Sequence, residues 1–171
     1  MTVIVEVSVS EDLTAELDSE ITGSDDVPPD RGQHIPEQSL LQAWATASYL
    51  NAKPAVTSML ITTMEEMQQL NKQYREKDRP TNVLSFPMRS PEVIDMQLLG
   101  DIALCASIIN QEAIQQSMKK DAHWAHMVVH GMLHLQGFDH IENSDAEEME
   151  QLEIKILGQL GIANPYRQTG I

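Results

Sequence analysis

The 171 residues (19.1 kDa) suffice for one domain with its own hydrophobic core, and 42% hydrophobic against 22% charged residues is the balance of a globular chain. No apolar run nears the roughly 18 residues of a membrane span; Glu6 interrupts the stretch where a secretory signal would run, and the single Cys105 excludes an internal disulfide and a thiolate zinc cluster, so a cytoplasmic location is expected. A net charge of −15 argues against indiscriminate binding of phosphate backbones.

In chain order, Val3 to Val9 alternates β-branched residues and reads as a strand. Residues 10–36 are polar and acidic, with Gly23, Pro28, Pro29, Gly32 and Pro36, and read as loop with at most one short helix. Pro36 is suited to open a helix that carries Leu40, Leu41, Trp44 and Ala47 at helical spacing. Ala55 to Thr63 reads as a second strand, and Thr63 with Glu66 three residues on forms a capping box for a helix through Met64, Met67, Leu70 and Tyr74. A short strand over Asn82 to Phe86 stops at Pro87, and a fourth from Leu98 to Cys105 is broken by Gly100-Asp101. Helical patterns follow over 106–118, 123–136 and 146–160, with Gly137 and Gly161 where left-handed C-caps belong. The expected fold class is α+β (mixed α/β): one domain over 1–171, a small four-stranded mixed sheet packed with about five helices, and a loop-rich insertion at about 10–36.

Five of the six histidines fall between positions 123 and 140. His130 and His134 stand at i and i+4, so both imidazoles project from one helix face and can reach one ion. Gly137 then lets the chain turn back, so that His140 can reach the same ion from outside the helix. Three imidazoles and an open position make a catalytic zinc site. The rival set His126, His130 and His134 spans about 12 Å of helix rise, too far for bonds of about 2.1 Å to a single ion. His123 and His126 are therefore expected to pack or to support the ligands.

The spacing His-x3-His-x5-His matches the ligand frame of metzincin proteases. Their general base is the glutamate after the first histidine, and Gly131 stands there in this chain. Peptidase chemistry is therefore not expected. Charge along the chain is uneven: residues 1–30 hold nine acids and no base, and 139–153 hold seven acids and no base. Between Lys72 and Arg89 the balance reverses, with five cationic residues against Glu76 and Asp78. The run from Glu142 to Glu153 reads as a solvated helix face.

These residues resemble the YbeY-type single-strand-specific endoribonucleases, bacterial rRNA maturation factors. The segment His130-Gly131-Met132-Leu133-His134-Leu135-Gln136-Gly137-Phe138-Asp139-His140 resembles the family's metal signature, with His130, His134 and His140 at its three zinc-ligand positions. Tyr74 to Pro87 (YREKDRPTNVLSFP) resembles a second block and Leu99-Gly100-Asp101-Ile102 a third; His123-Trp124-Ala125-His126 leads into the signature in the family manner. The similarity runs from about Ala55 to Tyr166. It implies a Zn²⁺-dependent hydrolase of single-stranded RNA or rRNA, with the metal in a cleft and a role in 16S rRNA 3′-end maturation and ribosome quality control. It also implies partners, a small ribosomal subunit protein and an Era-type GTPase.

On the family pattern, Arg75 is the residue expected to hold the phosphodiester and stabilise charge on its oxygens; Lys77 and Arg79 can guide the strand, and all three cations can equally serve the helix end, complementing its dipole and pairing with Glu76 and Asp78. Asp139 can accept from an imidazole N–H or serve the turn, and Asp101 can orient a neighbour or occupy a bulge. No general acid or base stands out, so water and the RNA 2′-hydroxyl both stay open as nucleophile. Two other classes remain: a non-catalytic, zinc-stabilised ribosome assembly factor, which suits the acidity, and a metallohydrolase of small molecules or peptides.

Overall fold

Alternation of Val3 and Val5 inward with Ile4 and Glu6 outward makes β1 (Val3–Val9) a half-buried strand, as the sequence pattern predicts. The structure is a computed structural model that describes residues 3–11, 13, 34–88, 96–139 and 143–166. Most of the expected insertion at 10–36 therefore lies outside the described residues. Helix α1 (Gln38–Ser48) follows, opening two residues after Pro36 and burying Leu41, Trp44 and Ala45. Its Gln42 amide occupies the outer edge of β1: Val5 N–H donates to Gln42 Oε1 (3.1 Å), and Gln42 Nε2 donates to the Val3 carbonyl (2.5 Å). An edge strand loses its capacity to recruit another strand when its polar groups are occupied in this way.

Strand β2 (Ala55–Thr62) leads through Thr63 into α2 (Met64–Arg75). Thr63 Oγ1 accepts from Glu66 N–H (3.2 Å), as the capping motif predicts, and the Glu66 carboxylate accepts from Ser10 Oγ (2.6 Å), tying the end of β1 to this helix start. Then come β3 (Val83–Pro87), β4 (Gln97–Cys105), α3 (Ala106–Gln115), α4 (Lys120–Leu135) and α5 (Asn143–Gln159). The sheet runs β1-β2-β4-β3, parallel except for β3, which pairs antiparallel with β4. A four-stranded mixed sheet with five helices, counted among the described residues, is the α+β class expected.

The break expected at Gly100-Asp101 is a bulge within one continuous strand. Val56 pairs with Leu98 but Thr57 with Gly100, so Leu99 is an extra residue on β4. Gly100 has φ +123°, and a Cβ there would lie 2.2 Å from the Phe86 carbonyl oxygen, so only glycine fits. Beyond the bulge, Ile102 and Leu104 enter the main core with Trp124, Val128 and Met132, whereas Ala103 joins Met67 and Leu84 under α2 together with Cys105. Helices on both faces explain why the end of β4 is apolar throughout. Of the methionines expected in the core, Met59, Met67, Met127 and Met132 are buried, whereas Met64 at the first turn of α2 is exposed.

Helix α4 begins three residues before the predicted start, because Lys120, Asp121 and Ala122 form a polar first turn that apolar periodicity does not register. The same holds for α5, which starts at Asn143. Between His123 and Leu135, α4 meets solvent only at His130 and His134. Gly131 makes this placement possible: a Cβ there would stand 3.2 Å from two carbons of Ile102 and 3.3 Å from Ser85 Oγ. The helix therefore lies directly on the β3–β4 ladder.

Candidate active site

A cleft of about 520 Å³ opens between the C-terminal half of α4 and the edge strand β3. His130 and His134 line one side, Asn82 and Ser85 the other, Arg75 enters from the end of α2, and Asp139 borders it past the turn. Ser85 Oγ donates to the Gly131 carbonyl (3.1 Å), fixing the strand against the histidine helix.

The i, i+4 geometry brings the His130 and His134 Nε2 atoms to 3.1 Å from each other. Two nitrogens about 2.1 Å from one tetrahedral ion stand roughly 3.4 Å apart, so the pair fits a zinc ion with a shift of a few tenths of an ångström. Gly137 ends the helix with φ +100°, while Phe138 N–H bonds back to the Leu133 carbonyl (3.1 Å), the left-handed exit that the sequence predicts. His140, the expected third ligand, lies outside the described residues. Among those described, no three His, Cys, Asp or Glu side chains are placed to share one ion.

His126 does not line the cleft. Its Nε2 bonds Glu153 Oε2 (2.9 Å), whose other oxygen, Oε1, takes the Nδ1 side of His130 (2.6 Å). Tyr166 donates its hydroxyl to the same carboxylate, with its ring 5.4 Å from that of His126. Burial alone pushes the Glu153 carboxyl up, but hydrogen bonds from His126, His130 and Tyr166 and the charge of His126 outweigh it and hold the group at about 2. A carboxylate kept ionised and aimed at Nδ1 selects the tautomer of His130 whose Nε2 lone pair faces His134. Tyr166 is pushed up by burial and by the Glu153 carboxylate, so it remains a hydroxyl donor.

Glu153 corrects the sequence reading. The run from Glu142 to Glu153 was expected to be a solvated face, yet Glu153 is fully buried. The signal was available: Glu153 lies four residues from the buried Met149 and three from the buried Ile156, on the inward face of α5. Nearby, His123 packs inside the core, with Nε2 3.0 Å from Glu112 Oε1, itself bonded by Asn82 Nδ2 (3.1 Å). Burial lowers the pKa of His123, against the opposing pull of Glu112.

Arg75 Nη2 donates to the Ser85 carbonyl (2.7 Å), and its guanidinium carbon lies 5.6 Å over the Phe86 ring. The side chain is thus aimed across the edge of β3 into the cleft. Lys77 and Arg79 are exposed on the loop between α2 and β3 and do not line the cleft. Asp101 accepts from Ser58 Oγ, on the sheet face under α2 rather than beside the histidines.

Residues 29–161 match the family model described as Endoribonuclease YbeY. The chain belongs to the YbeY endoribonuclease family. It is also 48% identical over 136 residues to an Endoribonuclease YbeY of Idiomarina loihiensis, covering 77% of this chain and 83% of that one. A solution structure of a Thermotoga maritima protein matches with a TM-score of 0.47 and 19% identity, over 96% of this chain and 100% of the other. A YbeY-family endoribonuclease acts on RNA. No helix among the described residues is long and apolar enough to cross a membrane.

Proposed function

We propose that the protein is a zinc-dependent, single-strand-specific endoribonuclease that matures the 3′ end of 16S rRNA and takes part in ribosome quality control, in the cytoplasm. The observation that carries this reading is the His130–His134 Nε2 pair, 3.1 Å apart, sharing a cleft with Arg75 in a chain of this family. His130 and His134, with His140 as the third ligand, would hold the ion. Bound zinc supplies positive charge to a phosphate oxygen and acidifies water.

The protein's own groups supply the rest. Arg75, held by Ser85 O, presents its remaining N–H groups to a non-bridging phosphate oxygen, where they oppose the charge that grows as the phosphorus becomes pentacoordinate. Glu153 keeps a proton on His130 Nδ1 and so keeps the Nε2 donor available. Lys77 and Arg79, on the loop leading to the cleft, attract the approaching strand and raise its encounter rate. The family resemblance supports a small ribosomal subunit protein and an Era-type GTPase as partners.

The test is cleavage of a labelled single-stranded RNA by purified, chelated and zinc-restored protein, with His134→Ala as the control for contaminating nuclease. Activity lost on chelation, restored by zinc and absent in the control is expected. Arg75→Ala is expected to retain zinc and lose roughly 10²–10³ in kcat, the scale seen when one donor to a developing oxyanion is removed. A protein that holds one zinc per chain and docks on the small subunit, yet cleaves no RNA, would be the assembly factor instead.

A further inference from the structure

Edge strand β3 has two faces with different surroundings. Ser85 and Pro87 line the cleft, whereas Phe86, between them, lies toward α2 against Tyr74, with ring centroids 5.2 Å apart at an interplanar angle of 69°. Tyr74 stays 54% exposed, which packing of the fold does not require. Arg75 connects the two sides: it borders the cleft, donates to Ser85 O and covers the Phe86 ring. Next to the aromatic pair is a groove of about 430 Å³ walled by Leu60, Leu70 and Ala103, with Asp101 on its polar side.

An exposed aromatic ring beside a guanidinium is the pairing that receives an unpaired base and its phosphate. The Asp101 carboxylate repels phosphate from the groove, so the neutral base enters while the backbone stays on the Arg75 side. We infer that Tyr74, backed by Phe86, forms a base-stacking subsite for the nucleotide that flanks the phosphate held at Arg75. The inference rests on the endoribonuclease reading and adds a physical source for single-strand preference. A base within a duplex has both faces covered by its neighbours and offers none to Tyr74.

The experiment uses the full chain. Affinity for a fluorescent single-stranded RNA is measured in chelator by anisotropy, and cleavage is measured with zinc, for the parent, Tyr74→Ala and Tyr74→Trp. A set of RNAs each with one abasic nucleotide scans the strand. Tyr74→Ala is expected to weaken binding roughly 5- to 150-fold, the range for loss of one stacked base, while Tyr74→Trp holds parent affinity. One abasic position should cost the parent that same factor and cost Tyr74→Ala nothing further, the signature of a shared contact. Unfolding temperature should fall by only about 1–6 °C, because Tyr74 is 54% exposed and its edge contact with Phe86 is the packing that is lost.

Unchanged affinity and an unchanged abasic profile in Tyr74→Ala, with cleavage still dependent on His134, would overturn the subsite and leave the endoribonuclease reading standing. Intact RNA affinity with lost binding of an Arg/Lys-rich peptide would assign the groove to a protein and likewise overturn it. A parent protein that neither binds nor cuts RNA with zinc present would overturn both.

Discussion

Replacing Glu153 by Gln tests the buried carboxylate with almost no change of shape. The amide mimics the protonated acid, so its cost follows from how strongly the folded protein favours the ionised form. A shift from 4.5 to about 2 corresponds, at 1.36 kcal/mol per unit, to about 3 kcal/mol. The geometry explains where this arises. His130 donates on the Oε1 side, and His126 and Tyr166 sit on the Oε2 side, so an amide NH2 faces a donor whichever way it is turned. For a chain of this size about 3 kcal/mol is a fall in Tm of roughly 6–12 °C. The assay is thermal unfolding in chelator, so that no ligand enters the equilibrium, combined with ¹⁵N shifts of His130 to read its tautomer. A Glu153→Gln variant within about 2 °C of the parent, with the His130 tautomer unchanged, would refute the argument.

Gly100→Ala should destabilise by at least about 3 kcal/mol, since a Cβ 2.2 Å from a backbone oxygen adds to the left-handed strain, and urea unfolding would measure it. Gly131→Glu restores the side chain that a metzincin base requires, yet should yield no peptidase activity and lower stability by about 1–3 kcal/mol through crowding against Ile102 and Ser85; a fluorogenic peptide assay and a melt check both. His123 has a folded pKa below 6.5, so the unfolded chain binds the extra proton: its contribution is complete above pH 6.5 and is lost as pH falls below it. Urea midpoints measured from pH 7.5 to 5 should therefore decline, and His123→Gln should flatten that decline.

Residues whose periodicity or chemistry is local were legible in the sequence. The alternation of β1, the Thr63 cap, the Gly137 exit and the i, i+4 histidine pair all depend on neighbours a few positions away. Helix rise favours His140 over His126 as a third ligand, and in the structure His126 bonds Glu153. What was not legible depends on contacts distant in sequence. Glu153 looked like one more acid in an acidic helix, because its histidine partners are 23 and 27 residues away. The bulge at Leu99 looked like a break, because glycine signals a departure from regular strand without saying which kind. The polar first turns of α4 and α5 are invisible to an apolar pattern, and the outward aim of Arg75 depends on Ser85, in the next strand.

The network around Glu153 also sets an order of events during synthesis. His130 and His134 leave the ribosome together, but the carboxylate that orients His130 follows 23 residues later, and the tyrosine that holds the carboxylate 13 residues after that. A chain halted short of residue 153 carries the histidine pair without the group that fixes its tautomer. Orientation of the histidine pair is therefore a late event, set by residues that are translated after the pair itself.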